Sequence, residues 1–263
     1  MGEPCRWCRI CVVYLRADST NAVTSILDQY GNGAYLDGAS RRPNSIQYIS
    51  PNMSGFVGRI GLSASGGATT EGTQVATAGA PGNYSDGREW FLQGTYANGP
   101  IYATLAYRNV TAEGRPAAGL DDRQLRFAGY YILPMGLKLG LQLDRATRAA
   151  VSGNVAGTTS TSVSRTAWEI PISYQLGQGD IMFSYTRAGD NGILVNSGAK
   201  LITLGYDYAL SKRTNIGVWV SKLSNDNNGA YQPFLDGASN FTGSGLLAGE
   251  SATTWALGVK HVF

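Results

Sequence analysis

The sequence has little charge, a single histidine and no long hydrophobic run. Charged residues make up 15% of its 263 residues, against about 25% in a typical soluble domain. No stretch of about 18 apolar residues occurs, which excludes a helix that crosses a membrane. The net charge of +3 is too small to indicate nucleic-acid binding. Apolar residues are nevertheless plentiful and regularly spaced, which excludes a disordered chain.

Motifs of catalysis and cofactor binding are also missing. The sequence contains no G-x-S-x-G, no phosphate-binding loop and no paired Cys/His set. Its one histidine, His261, lies at the end of a predicted strand and is poorly suited to act as a general base. The sequence therefore predicts a protein that is not an enzyme and that holds neither a cofactor nor a metal ion.

The three cysteines all lie in the first eleven residues, and no secretory signal peptide is evident there. Cys5, Cys8 and Cys11 have the spacing of a metal or iron–sulfur site, but such a site needs a fourth ligand. Two further interpretations of residues 1–20 stay open. They are a segment foreign to the rest of the chain, or a twelfth strand formed by "RICVVYL".

Glycine and tyrosine are abundant, with 35 and 15 residues, and from Asn44 onward apolar residues alternate with polar or small ones. In "GLKLGLQLD" four leucines alternate with Lys138, Gly140 and Gln142. A period of two predicts β-strands, because successive side chains point to opposite faces. About eleven strands are predicted, near residues 44–50, 55–65, 87–97, 99–110, 122–133, 136–147, 164–176, 179–189, 198–210, 212–224 and 253–263.

The links between these segments are short and long in strict alternation. Tight turns such as "ANGP" and "LPMG" are followed by long polar links such as 66–86 and 148–163. Membrane barrels have short turns at one rim and long loops at the other, and about ten tilted residues cross the hydrocarbon. The fold class predicted is all-β, an antiparallel up-and-down transmembrane β-barrel. A soluble barrel, with its aromatic residues in a core, is the open alternative.

Several stretches, in this order, resemble the general porins of Gram-negative bacteria, particularly those of β-proteobacteria. They include "RRPNSIQYISPNMSGFVGRIGLS", "LRFAGYYILPMGLKLGLQLD" and the terminal "WALGVKHVF", and the resemblance covers about residues 40–263. Such porins are sixteen-stranded trimers whose third loop narrows the pore. The resemblance implies a chain that begins at the family's sixth strand, with an atypical segment 1–20, a constriction-loop-like segment 21–43 and a barrel 44–263.

The resemblance also implies a site, which is a water-filled constriction with basic side chains on the wall and acids on the inserted loop. Such an arrangement screens solutes by size and charge. The basic candidates are Arg59, Arg126, Arg108, Lys138, Arg165 and Lys260 on the wall, and Arg41 and Arg42 at the end of the loop. The acidic candidates are Asp28 and Asp37 in the loop, and Glu89, Glu169 and Asp207 on the wall.

The last residues match the family's signal for outer-membrane assembly, with Phe263 preceded by His261, Val259 and Leu257 at every second position. The implied function is passive diffusion of small hydrophilic solutes and ions across the bacterial outer membrane. The implied partners are the lipid bilayer, lipopolysaccharide, the assembly machinery and two further copies in a homotrimer. The alternatives are a shortened porin that does not conduct, and an adhesion barrel that uses its loop 225–252.

Overall fold

The computed structural model describes residues 26–28, 45–63, 89–110, 122–148, 163–233 and 246–262. These residues form a 3₁₀ turn, Ile26–Asp28, and eleven strands. The strands are β1 (Ser45–Ile49), β2 (Phe56–Ser63), β3 (Glu89–Asn98), β4 (Ile101–Val110), β5 (Asp122–Ile132), β6 (Leu137–Arg148), β7 (Val163–Leu176), β8 (Gly179–Ala188), β9 (Ala199–Ser211), β10 (Thr214–Asn225) and β11 (Ser251–His261). No helix in this part of the chain is long and apolar enough to cross a membrane.

The strands form one sheet in sequence order, and each pairs antiparallel with its neighbours. Every strand boundary lies within two residues of its predicted position, so the all-β antiparallel prediction is confirmed. Tight turns connect the strands at one end, which we call the turn end, and long links connect them at the other, the loop end. Gly99, Gly136 and Gly177 occupy these turns with φ of 55°, 82° and 63°, a left-handed conformation that glycine adopts without steric conflict.

The two faces of the sheet differ in polarity in the opposite sense to a soluble protein. On the outer face, Leu105 and Leu143 are 53% and 45% exposed. On the inner face, Gln93 and Asp144 are 6% and 1% exposed. The alternation of side chains along each strand therefore places apolar groups on the exposed side and charged groups on the covered side, the pattern of a sheet whose outer face meets lipid.

Aromatic side chains on the outer face lie towards both ends of the strands. Trp90 packs against Tyr107 near the loop end, with ring centroids 5.2 Å apart. Tyr206 and Tyr208 lie near the turn end, with centroids 6.4 Å apart. The same outward register holds for Trp90, Tyr96, Trp168, Tyr174, Tyr206 and Tyr208, and amphipathic rings are typical of the two membrane–water interfaces.

Some aromatic residues lie instead on the inner face, among them Trp219. Trp219 is 2% exposed and its indole covers Gly205 and Gly217. A Cβ added at Gly205 would lie 2.3 Å from the indole Cδ1, and one added at Gly217 would lie 2.1 Å from Cη2. Both positions therefore require glycine, since any side chain would displace the ring.

Among the described strands, β1 and β11 each have a single neighbour. Trp255, Leu257 and Val259 on β11 are accordingly 77%, 69% and 65% exposed, more than outer-face residues of the central strands. The sheet is thus open across the described residues, and its closure into a barrel stays a prediction. The proposed twelfth strand, "RICVVYL", lies outside the described residues.

Candidate functional site

The 3₁₀ turn rests on the inner face of the sheet, in a patch that is small and apolar. Ile26 and Leu27 are fully buried there. Three alanines, Ala167, Ala188 and Ala199, are directly opposite one another on β7, β8 and β9. The patch is completed by larger side chains, namely Leu201, Leu223 and Tyr231. The inward candidates named from the sequence are all charged, which predicts a charged inner face. The inner face departs from that prediction here, because small residues leave room for the turn.

Two arginines on the wall bind the backbone of this turn. Arg165 Nη2 donates to the carbonyl of Leu27 over 2.7 Å, and its Nη1 donates to the carbonyl of Ile26 over 3.2 Å. Arg126 Nη2 donates to the Leu27 carbonyl over 3.2 Å. These hydrogen bonds join residues about a hundred or more positions apart in the chain. They fix the backbone of the turn to the inner face of the sheet.

Asp144 lies between the two arginines and binds both. Its Oδ2 accepts from Arg126 Nε over 2.7 Å, and its Oδ1 accepts from Arg165 Nη2 over 2.7 Å. Gln124 Nε2 also donates to Oδ2 over 2.8 Å. We call Arg126, Asp144 and Arg165 the arginine cluster. All three are 4% exposed or less, and burying them requires the mutual pairing seen here, because unpaired buried charges are strongly unfavourable.

A second ion pair lies nearer the loop end of the same face. Arg108 Nε donates to Glu89 Oε1 over 2.7 Å, and its Nη2 donates to Oε2 over 3.2 Å. The two residues belong to adjacent strands and both are less than 10% exposed. The two-pronged geometry matches the planar guanidinium to the carboxylate, and it neutralises one of the predicted wall cations.

Three other predicted cations have different surroundings. Arg59 on β2 is directly opposite Gln93, is partly exposed and has no acidic partner within the described part of the chain. Lys138 Nζ lies 4.8 Å from the ring centroid of Tyr130. Lys260 is exposed on the edge strand β11. The inner face therefore combines arginines that are neutralised by acids with cations that have no acidic partner among the described residues.

The predicted wall acids also lie on the inner face. Glu169 on β7 is directly opposite Gln142 and Thr186. Asp207 on β9 accepts a long hydrogen bond, 3.5 Å, from Asn215 Nδ2. Both are less than 10% exposed. The structure thus places every described basic and acidic wall candidate on one face of the sheet, and it brings Arg126 and Arg165 together through an acid that was not predicted.

Asp144 is that missing residue, and the sequence contained a signal for it. The inward register of Lys138, Gly140 and Gln142 on β6 reaches Asp144 two positions further on. The predicted alternation ends at Leu143, one residue before the carboxylate that holds the arginine cluster together. The stacked pair Tyr102 and Tyr130, with centroids 5.1 Å apart, was also missed, because inward aromatic residues were not expected.

Other candidates lie partly or wholly outside the described residues. The backbone of Asp28 belongs to the 3₁₀ turn, but its side chain is outside the description, as are Asp37, Arg41, Arg42 and Phe263. The cysteines at 5, 8 and 11 are outside it too. His261, Val259 and Leu257 lie on β11, with His261 Nδ1 and Thr214 Oγ1 2.9 Å apart. Within the described ranges no cluster of three or more His, Cys, Asp or Glu side chains could hold a metal ion.

Tyr231, in the link after β10, covers the apolar patch from the loop side. It is fully buried, and burial raises the pKa of its phenol to about 12. Its hydroxyl has no hydrogen-bond partner among the described residues. The phenol therefore stays neutral at physiological pH, and its ring serves as packing against the turn.

A single antiparallel sheet with an apolar exposed face, charged groups on the other face, and alternating short turns and long links is typical of transmembrane β-barrels of the outer-membrane type. Comparison with known families agrees. Residues 13–228 match the Gram-negative porin family, and the chain belongs to that family. The bacterial outer membrane is accordingly its location, as predicted.

Individual relatives are consistent with this assignment. The chain is 30% identical over 234 residues to outer membrane porin protein 32 of Delftia acidovorans, covering 89% of this chain and 60% of that protein. Its structure is similar to the anion-selective porin from Comamonas acidovorans, with a TM-score of 0.66, 24% identity and coverage of 90% and 65% of the two chains. It is also similar to OmpT of Vibrio cholerae, with a TM-score of 0.55, 10% identity and coverage of 82% and 64%. The chain thus spans less than two thirds of these relatives.

Proposed function

We propose that this chain forms the wall of a water-filled channel through which small hydrophilic solutes and ions diffuse passively across the outer membrane. The observation that carries the proposal is the inner face, where a 3₁₀ turn is bound to the wall by Arg126 and Arg165 through its backbone carbonyls. A segment fixed inside a lumen narrows it. A narrow passage lined by fixed charges selects solutes by size and charge.

In this proposal residues 21–43 are the constriction loop, residues 44–263 are the barrel wall, and residues 1–20 are a separate segment. The available cations Arg59, Lys138 and Lys260 attract anions, and the arginine cluster positions the loop. Arg41 and Arg42 add positive charge where the loop ends, and Asp28 and Asp37 supply the opposing negative charge. Glu89, Glu169 and Asp207 act as wall acids. The channel needs no cofactor and catalyses no reaction.

Closure requires the outer edges of β1 and β11 to find partners, because each unpaired amide in lipid costs several kcal/mol. The proposed partners of the assembled barrel are two further copies in a trimer, lipopolysaccharide, and the outer-membrane assembly machinery that recognises the end of β11 with Phe263. Because the described sheet has two unpaired edges, a second candidate is a shortened porin that inserts but does not conduct.

Planar bilayer recording of the full chain tests the proposal. The expected result is discrete conductance steps that persist over a wide voltage range and scale with salt concentration. Folding is established beforehand by heat-modifiable migration in gels. A folded, inserted chain without conductance steps would exclude the channel and leave the non-conducting candidate. Conductance that disappears when the chain is heat-denatured before addition provides the control for contaminating channels.

A further inference from the structure

Two tyrosine rings are stacked on the inner face near the turn end of the sheet. Tyr102 and Tyr130 are directly opposite each other on β4 and β5. Their ring centroids are 5.1 Å apart and their planes are inclined by only 7°. Both side chains are partly exposed. Because the inner face lines the lumen in the proposed function, the two rings border the path of a permeating solute.

A lysine on the next strand adjoins the stacked rings. Lys138 is the second residue of β6, and its Nζ lies 4.8 Å from the ring centroid of Tyr130. The attraction between an ammonium group and an aromatic ring holds the lysine beside the stack. No acidic side chain of the described residues lies within 4.0 Å of this ammonium group. Its charge is therefore not neutralised by an acid of the described wall.

The strand register arranges these three side chains in a row across three neighbouring strands. Tyr130 is directly opposite Tyr102 on one side and Gly140 on the other, and Lys138 lies two residues from Gly140 on the same face. No side chain stands at Gly140, so the lysine can fold towards the tyrosine ring. The row consists of two aromatic rings and then an ammonium group. We call it the tyrosine–lysine row.

The tyrosine–lysine row lies between the arginine cluster and the turn end. Tyr130 follows Arg126 by four residues on the same face of β5, about 13 Å along the strand at about 3.3 Å per residue. In this class of barrel the short turns face the periplasm. A solute entering from the loop end would therefore reach this row after it has passed the 3₁₀ turn, close to the exit.

The row combines two kinds of attraction that few solutes can use together. The edge of an aromatic ring is electrically positive and its face is negative, so a second ring packs favourably with its face on the edges of the first. The ammonium group attracts an anion. The centroid spacing of 5.1 Å and the ammonium distance of 4.8 Å suit one aromatic ring that carries one carboxylate. An aliphatic anion would use only the lysine, and a neutral aromatic solute would use only the rings.

We propose that Tyr102, Tyr130 and Lys138 form a weak binding site for aromatic carboxylates at the turn end of the lumen. Passage through a channel requires a solute to leave as readily as it enters. A dissociation constant on the order of 1 mM meets this need, because at the diffusion limit it corresponds to a residence time of about a microsecond. The proposal rests on the proposed function in that the inner face must be open to water, but binding itself does not require conductance.

The test measures the binding of benzoate to the folded full chain in detergent by saturation-transfer NMR, with protein-free micelles as the blank. Tyr130→Leu and Lys138→Gln should each weaken binding roughly five-fold, the size expected for an aromatic contact or a partly exposed ion pair. Tyr131→Leu changes the neighbouring tyrosine on the outer face, and Lys212→Gln removes a cation from a turn at the same rim. These two controls should stay within about two-fold of the unchanged chain, as should Tyr130→Phe, which keeps the ring.

Three further solutes identify the chemistry of the ligand. Acetate has the charge without the ring, benzyl alcohol has the ring without the charge, and cyclohexanecarboxylate has the charge on a saturated ring. Each should bind roughly five-fold more weakly than benzoate, or weaker still. Equal binding of any of the three, or undiminished benzoate binding by both Tyr130→Leu and Lys138→Gln, would overturn the proposal. If Tyr130→Leu does not fold, Tyr102→Leu takes its place with the same loss expected.

Chloride conductance in planar bilayers is recorded on the same proteins. A chain that conducts but does not bind benzoate would refute the aromatic site and leave the channel intact. A chain that binds benzoate with the expected variant pattern but does not conduct would support the site and refute the channel. The two proposals therefore fail in different measurements.

Discussion

Arg165 and Asp144 are bonded at 2.7 Å on the inner face of the sheet, and each is only 1% exposed. The same Arg165 nitrogen also donates to the carbonyl of Leu27. One carboxylate therefore orients the guanidinium that fixes the 3₁₀ turn to the wall. The stability of the wall and the position of the segment inside it depend on the same contact.

The first prediction concerns that carboxylate. Asp144→Asn leaves two buried arginines without their counter-charge, and breaking a buried ion pair in this way costs about 3–5 kcal/mol. Urea-induced loss of the heat-modifiable form should occur at clearly lower denaturant concentration. The matched control is Asp207→Asn, an acid on the same face that has no arginine partner in the described residues, and it should change little. Equal losses in the two variants would contradict a specific role for Asp144.

The second prediction concerns the position of the turn. Arg165→Gln removes the two hydrogen bonds that this side chain donates to the carbonyls of Ile26 and Leu27. Single-channel recordings should show a larger mean conductance and more open-channel noise, because the narrowing segment is held less firmly. The double variant R108Q/E89Q removes an arginine and its own partner from the same face, and it should leave the noise unchanged. Similar noise in both would indicate a general loosening of the wall.

The third prediction concerns selectivity. Arg59 is a partly exposed inner-face arginine without an acidic partner among the described residues, so its charge is available to permeating ions. Arg59→Glu should shift the reversal potential in a salt gradient towards cation preference. Lys212→Glu makes the same charge change in an exposed turn and serves as the control. An unchanged reversal potential in Arg59→Glu would remove this residue from the selectivity site.

The fourth prediction concerns Tyr231. Its ring fills space beside the 3₁₀ turn, whereas its hydroxyl is buried without a partner in the described part of the chain. Tyr231→Phe should leave the unfolding midpoint unchanged or raise it, because an unsatisfied buried hydroxyl is unfavourable. Tyr231→Ala should lower the free energy of unfolding by about 3–5 kcal/mol through the cavity it leaves. A destabilised Phe variant would show that the hydroxyl has a partner.

The fifth prediction concerns assembly. Deletion of Phe263 should reduce the amount of heat-modifiable protein in the outer membrane several-fold, because the resemblance to porins assigns the terminal aromatic to the assembly signal. Phe263→Tyr, which retains an aromatic ring, is the matched control. Refolding of the purified chain in detergent should be affected much less. Equal amounts of membrane-inserted protein in the deletion and the unchanged chain would exclude this role.

Local periodicity was sufficient to predict the strands and their faces. Because strand side chains alternate strictly, the leucines at 139 and 141 and their polar neighbours already assigned the outer and inner faces of β6. The same logic placed Arg108, Arg126 and Glu169 on one side. The same alternation extends to Asp144, two residues beyond Gln142.

The sequence by itself therefore determined the eleven strands, their turns, and which side chains share a face. Only the tertiary structure decided the partners. Arg126, Asp144 and Arg165 lie on three strands, and Ile26 and Leu27 come from a turn about a hundred residues or more away in sequence. Periodicity carries no information about which inward charges are neutralised, because ion pairing depends on the stagger between strands and on the path of the inserted segment. Those depend on packing across the whole sheet.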